Sequence, residues 1–301
     1  MKKRVLSCVM AAAMMLTMAA CGGSATSEGS PAQSGAEQSK QAQSEEVKEE
    51  KTSDFVLVNG LDAIKEKGKL TIGMMAAIPP YEFHYINNGT DEIVGSDIEL
   101  IKAICAELGV EYEIKDMEFS GLLASLQANK IDMIVSSMAP TLERQENADF
   151  SDVYYECDYY ITIHKDSADT IKTAEDLAGK TIGVQATSTM EFIVDEQIPQ
   201  ATKKQIINAS DLVVELNAKK VDGIITDIDT AKLYCLANPD FVMTEISYEA
   251  SGDALGAAIA MPKGTDEEVK EVINGVIAEM RPKMRGYVDH YIEMVDPATI
   301  S

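Results

Sequence analysis

The chain has 301 residues, 46% of them hydrophobic and 25% charged, the composition of a folded protein of one or two domains. Lys and Arg number 26 against 50 Asp and Glu, a net charge of −24, which excludes nucleic-acid binding and docking on anionic lipid through a basic face, because both depend on cations. Trp is absent, and 3 His and 5 Cys are scattered, so stacking platforms and metal sites lack material, and neither a metal nor a cofactor is expected.

Lys2, Lys3 and Arg4 precede an apolar run from Val5 to Met18. This is the length of a signal-peptide core and falls short of the roughly 20 residues that a spanning helix needs. The run ends in Met18-Ala19-Ala20-Cys21-Gly22, which resembles a bacterial lipobox, with Met18 where Leu is usual. The resemblance implies a signal over residues 1–20 and acylation of Cys21 by palmitate-type chains, more than one of which gives stable anchoring to the cell membrane. The alternative is an ordinary secretory signal with a chance cysteine, and it also predicts export. Residues 21–53 carry almost no apolar side chains, cannot build a core and read as a flexible tether.

The folded part begins near residue 54. Lys69–Met74 reads as a strand. Asp97–Leu108 places Ile98, Ile101, Ile104, Cys105 and Leu108 on one helical face, stopped by Gly109. A strand over Glu111–Met117, a helix over Ser120–Lys130 and a buried strand over Met133–Met138 follow. This βαβ rhythm predicts a largely parallel sheet covered on both faces. Then it restarts. Gly179–Gln185 echoes Gly68–Met74, and Lys219–Asp227 echoes Asn129–Ser137. Two echoes in the same order predict two lobes of common plan, with Ser136-Ser137 and Thr226-Asp227 at the carboxyl ends of equivalent strands, where ligands bind in open α/β sheets. A strand over Ala254–Gly264 and a helix opened by Thr265-Asp266-Glu267-Glu268 and running to about Met284 close the chain. The expected division is 54–157 for the first lobe, 158–249 for the second and 250–301 for a segment returning to the first. Of the cysteines beyond Cys21, Cys105 reads as a small core residue; Cys157 and Cys235 make the number odd, so at least one thiol is free.

The segments GKLTIGMMAAIPPYEF, IVGSDIELIKAI, FSGLLASLQANKIDMIVSSMAPTLERQENADFSDVYY and LAGKTIGVQATSTMEF resemble the amino-acid-binding family of bacterial ABC-transporter solute-binding proteins, over about Gly60 to Glu293. The resemblance implies a two-lobed, type II periplasmic-binding-protein-like fold, each lobe a mixed, mostly parallel sheet flanked by helices. It implies a monomer that closes on one free amino acid and delivers it to membrane permease subunits.

An amino acid presents a carboxylate and an ammonium, so its cleft needs a fixed planar cation and a fixed anion. Arg144 matches the family arginine that grips the carboxylate; a solvated surface arginine is the alternative. Asp227 matches the carboxylate that receives the ammonium, and helix capping is its other use. Ser188 and Thr189 open a helix whose N–H groups suit an anion, although many relatives have Gly at the position of Thr187. Ser137 matches a family position whose backbone groups meet both ends of the amino acid, Met138 beside it is a further candidate, and Ala139 stands where the family often has Ser or Thr. The side-chain pocket is expected from Met75, Ile78, Tyr81 and Phe119. These are uncharged, which points to a neutral ligand side chain, although Glu82 could reach in. An enzyme on the same fold is the first rival, without an opposed acidic pair, a G-x-S-x-G or an H-E-x-x-H in its favour. A component that presents its ligand to a separate receptor is the second.

Overall fold

The computed structural model describes residues 60–249 and 256–296. The expected signal, Cys21 and the tether lie outside the described residues. One five-stranded sheet has the order β5-β1-β6-β13-β7, from β1 (Lys69–Met74), β5 (Glu111–Asp116), β6 (Met133–Ile134), β7 (Ala148–Tyr155) and β13 (Ala257–Pro262). β1 pairs in parallel with β5 and β6, while β13 runs antiparallel to β6 and β7. Alternation along the strands sends Leu70, Ile72 and Met74 to one face, under α1 (Leu61–Lys67), α2 (Ser96–Leu108) and α8 (Glu267–Met294). Ile134 and Ala260 face the other way, under α3 (Leu122–Gln127). The short α4 (Leu142–Gln145) leads into β7.

The second sheet has the order β10-β9-β11-β8-β12, from β8 (Tyr159–His164), β9 (Thr181–Gln185), β10 (Thr202–Ile206), β11 (Gly223–Asp227) and β12 (Phe241–Tyr248). Here β9 is parallel to β10 and β11, and β8 is antiparallel to β11 and β12. Helix α5 (Thr189–Gln197) packs on one face; α6 (Asp211–Asn217) and α7 (Ile228–Ala237) pack on the other. A small antiparallel sheet of β2 (Ala77–Ile78), β3 (Glu82–Asn87) and β4 (Thr90–Val94) sits beside the first lobe. The chain passes between the large sheets from β7 to β8 and again from β12 to β13.

The sequence echo has a structural cause. Asp132 accepts from Thr71 N at 2.7 Å while its own N–H donates to Thr71 O. Asp222 does the same with Thr181, at 2.8 Å. In each lobe an Asp stitches the start of the central strand onto its parallel neighbour, three residues after a left-handed Asn129 or Lys219. The repeated Lys-x-Asp pattern therefore specifies register.

Three expectations need correction. β6 ends at Ile134 rather than Met138, because the backbone turns out of the ladder and Ser137 takes φ +47°. The last helix runs to Met294, beyond Met284, since Met284, Val288 and Tyr291 continue the buried stripe of Ile273, Ile277 and Met280. Thr265 does not cap it: its hydroxyl donates to Pro262 O at 2.7 Å, and the N-cap is Asp266, without a side-chain bond.

Candidate functional site

A cavity of about 750 Å³, counted out to its mouth, lies between the carboxyl ends of the two sheets. Ser136 and Ser137 follow β6, Gln185 ends β9, and Thr226 and Asp227 end β11. Ile78, Tyr81, Phe119, Ser188 and Thr189 also line it. Arg144 and Met138 face an adjoining compartment shared with Phe119, Thr187 and Glu191. Met75 is buried, and its sulfur accepts from Gln185 Nε2 of the other lobe at 3.3 Å.

Arg144 stands in α4, whose N-cap Thr141 accepts from the Arg144 N–H at 3.3 Å. It is only 7% exposed. Nη1 donates to Ala139 O and Nη2 to Thr187 O, each at 2.7 Å, and the guanidinium lies 5.4 Å from the Phe119 ring centroid. Neither carbonyls nor an aromatic face neutralise the charge, and burial pushes its pKa down to about 10. A buried guanidinium held this way suits a carboxylate. Thr187, which supplies one of these carbonyls, has φ +60°. That is the left-handed conformation a β-branched residue resists and Gly accepts.

Asp227 lines the cavity, and of its two expected uses the structure shows the cap. It caps α7, with Oδ1 accepting from Asp229 N and Thr230 N at 3.0 Å each. The same oxygen accepts from Tyr81 OH of the first lobe at 2.7 Å. Burial raises its pKa, opposed by these hydrogen bonds. Next to it, Asp229 is fully buried; it accepts from Tyr155 OH at 2.8 Å and from Arg285 Nη1 at 2.9 Å, both first-lobe groups.

Glu82 does not reach the cleft. It is fully buried behind Ser136, whose hydroxyl donates to Glu82 Oε1 at 2.9 Å and accepts from Met75 N at 3.0 Å. Gly95 brings the second acid, Asp97, close. Its φ is +138°, and a Cβ there would stand 2.0 Å from Tyr81 O, so only glycine lets α2 start against this loop. Asp97, also fully buried, accepts from Tyr154 OH at 2.6 Å and Ser137 N at 3.1 Å. One oxygen of each, Glu82 Oε2 and Asp97 Oδ1, is buried without a hydrogen-bond partner. Burial and the neighbouring Asp97 charge hold the Glu82 pKa well above the carboxylate range, and burial also raises that of Asp97. A proton shared between the two satisfies both. The pair braces the Ser136-Ser137 turn from behind.

Sequence reasoning missed Gln185, Tyr155, Cys157 and Tyr159. Gln185 was within reach, because it ends β9 as Asp227 ends β11. The other three flank the passage from β7 to β8, whose pairing is long-range and leaves no local pattern. Among the described residues, no group of three or more His, Cys, Asp or Glu could hold a metal ion, and no helix is long and apolar enough to cross a membrane.

Two α/β lobes, crossed twice by the chain and closed over a cavity at their strand ends, make this a type II binding protein. Residues 70–292 match the bacterial extracellular solute-binding proteins, family 3, and the chain belongs to that family. Its members bind and carry solutes, so the enzyme reading falls, and its place is outside the cytoplasm. The arginine-binding extracellular protein ArtP of Bacillus subtilis is 37% identical over 216 residues, covering 71% of this chain and 81% of that protein. An amino acid ABC transporter substrate-binding protein from Streptococcus pneumoniae, solved with L-arginine, superposes with a TM-score of 0.73 at 32% identity, covering 77% of this chain and 97% of that one. An ancestral arginine-binding protein bound to glutamine gives 0.64 at 37%, covering 75% and 97%.

Proposed function

We propose that the protein captures a free amino acid with a neutral side chain by closing its lobes, and delivers it to an ABC importer from a lipid anchor at Cys21. The observation that carries this reading is the buried Arg144 guanidinium, held by two backbone carbonyls, in the compartment that adjoins the cavity lined by Asp227. Arg144, Thr189 and the N–H groups of α5 take the carboxylate; Asp227 and Ser137 take the ammonium. With Asp227 so used, the rest of the cavity wall is uncharged, including Ile78, Phe119, Ser136, Gln185 and four tyrosines at 81, 155, 159 and 234. Gln185 and Ser136 suit a polar, neutral side chain. The similar protein solved with glutamine supports the fit of such a ligand to this fold.

A cationic side chain is the second reading. The acids behind Ser136 and the similarity to proteins named for arginine favour it. A thermal-shift screen after unfolding and refolding, with each common amino acid and cystine, separates the two. Ligand at 100 times its dissociation constant adds about 2.7 kcal/mol of stability. A rise with glutamine or another neutral amino acid is expected. A rise confined to arginine, lysine or histidine transfers the site to the second reading, and a flat response throughout rejects amino-acid binding. Release of the protein from membranes by Cys21→Ser tests the anchor.

A further inference from the structure

The geometry points to Arg285 as the positioning residue for closure: it ties the lobes together through Asp229 and so sets the place of Asp227. The inference rests on the closure reading but not on which ligand is bound.

Arg285 projects from α8, packed on the first lobe. Its Nε donates to Asp289 Oδ1 at 2.8 Å, and Nη2 bonds the same carboxylate, so the guanidinium is aimed by its own helix. Nη1 then reaches both oxygens of Asp229, at 2.9 and 3.0 Å, and also the Tyr155 hydroxyl at 3.0 Å. Asp229 belongs to the first turn of α7 in the second lobe and is fully buried. Its other side-chain donors, Tyr155 at 2.8 Å and Tyr81 at 3.3 Å, are first-lobe residues too. Separating the lobes removes all three at once. The seam continues below as an apolar patch, where Leu233 of α7 meets Phe83, Tyr291 and Val295 of the first lobe.

The link to the ligand site is short. The N–H of Asp229 is one of the donors on Asp227 Oδ1. A tether on Asp229 therefore fixes the turn that holds the Asp227 carboxylate, while Tyr81 OH, 2.7 Å from the same oxygen, registers it against the first lobe. Lys232 Nζ, 3.9 Å from Asp229, is on α7 itself. It keeps a cation beside the buried carboxylate when Arg285 is lost, without joining the lobes. This separates closure from folding.

The test is hydrogen exchange of the full chain without added ligand, comparing Arg285→Gln, Arg285→Lys and Tyr155→Phe with the parent. Exchange of locally opening amides follows the opening equilibrium. Arg285→Gln should speed exchange by roughly tenfold, the effect of about 1.4 kcal/mol on that equilibrium, at the start of α7 and around Tyr81 and Ser137. Amides of β1 and β9 should keep their rates. Arg285→Lys should restore part of the protection, and Tyr155→Phe should lose part of it. Unchanged rates at the seam overturn the proposal. So does acceleration spread evenly into β1 and β9, which makes Arg285 a general stabiliser of α8.

Discussion

Burial gives single residues their roles here. Arg144 has two carbonyls and an aromatic ring about its guanidinium, and under the proposed function an incoming carboxylate neutralises it. Arg144→Ala should weaken binding of the screened amino acid by about 2–5 kcal/mol, the cost of removing one side of a buried charge pair. Titration calorimetry reads this directly, and a loss below about tenfold removes Arg144 from the central role. The Glu82–Asp97 pair makes a prediction about pH. Burial raises both values in the folded state, so the folded form holds its proton more tightly than the unfolded chain does. The pair's contribution is then complete below the unfolded carboxyl value of about 4.3 and is lost as the pH rises through the folded values. Glu82→Gln keeps an acceptor for Ser136 and an N–H for Asp97. It should flatten the fall in melting temperature between pH 5 and 8, and a slope equal to the parent's would contradict the shared proton. Thr187 holds a left-handed backbone at a cost of about 1–2 kcal/mol. Against the entropy glycine loses on folding, Thr187→Gly should gain about 0.5–1 kcal/mol in denaturant melts. A loss would locate the effect elsewhere.

Among the elements, those with local grammar were legible. β1 and β9, with β11, could be read from apolar runs, and α2 from the spacing of Ile98, Ile101, Ile104, Cys105 and Leu108, with Gly109 adopting the left-handed cap at φ 70°. The small sheet of β2 to β4 was not, because β2 has 2 residues, β4 has 5 and no buried position, and β3 carries exposed residues such as His84 and Ile86. Nor was the early end of β6, which depends on Ser136 being gripped by Glu82 and Met75 from distant parts of the chain. Around the cavity, Arg144 and Asp227 were candidates by motif and Gln185 was within reach from its place at the end of β9, whereas Tyr155 and Tyr159 at the crossing needed tertiary structure. Helix α7 offers a test that divides two roles of one side chain. Asn caps a helix about as well as Asp, so Asp227→Asn should change thermal stability by less than about 0.5 kcal/mol. Under the proposed function the same variant should weaken amino-acid binding by about 2 kcal/mol or more, because it loses the charge assigned to the ammonium. Equal losses in folding and binding would mean that capping is its whole contribution.

For the whole molecule, β13 is the strand with most depending on it. It follows the second lobe in the chain yet lies between β6 and β7, inside the first sheet. The second sheet, by contrast, is made from the uninterrupted run β8 to β12. A chain emerging amino end first therefore finishes its second half before its first. Until residues 257–262 arrive, β6 and β7 have no common neighbour and present bare edges that invite pairing with other chains. A version stopped at residue 249 should show protected amides in β8, β9 and β11 but none in β1, and should clump at concentrations where the parent stays dispersed. Equal protection in both sheets would deny β13 that part. For an exported protein, the hazard falls on the far side of the membrane, during the interval between the first strand's arrival and the last one's insertion.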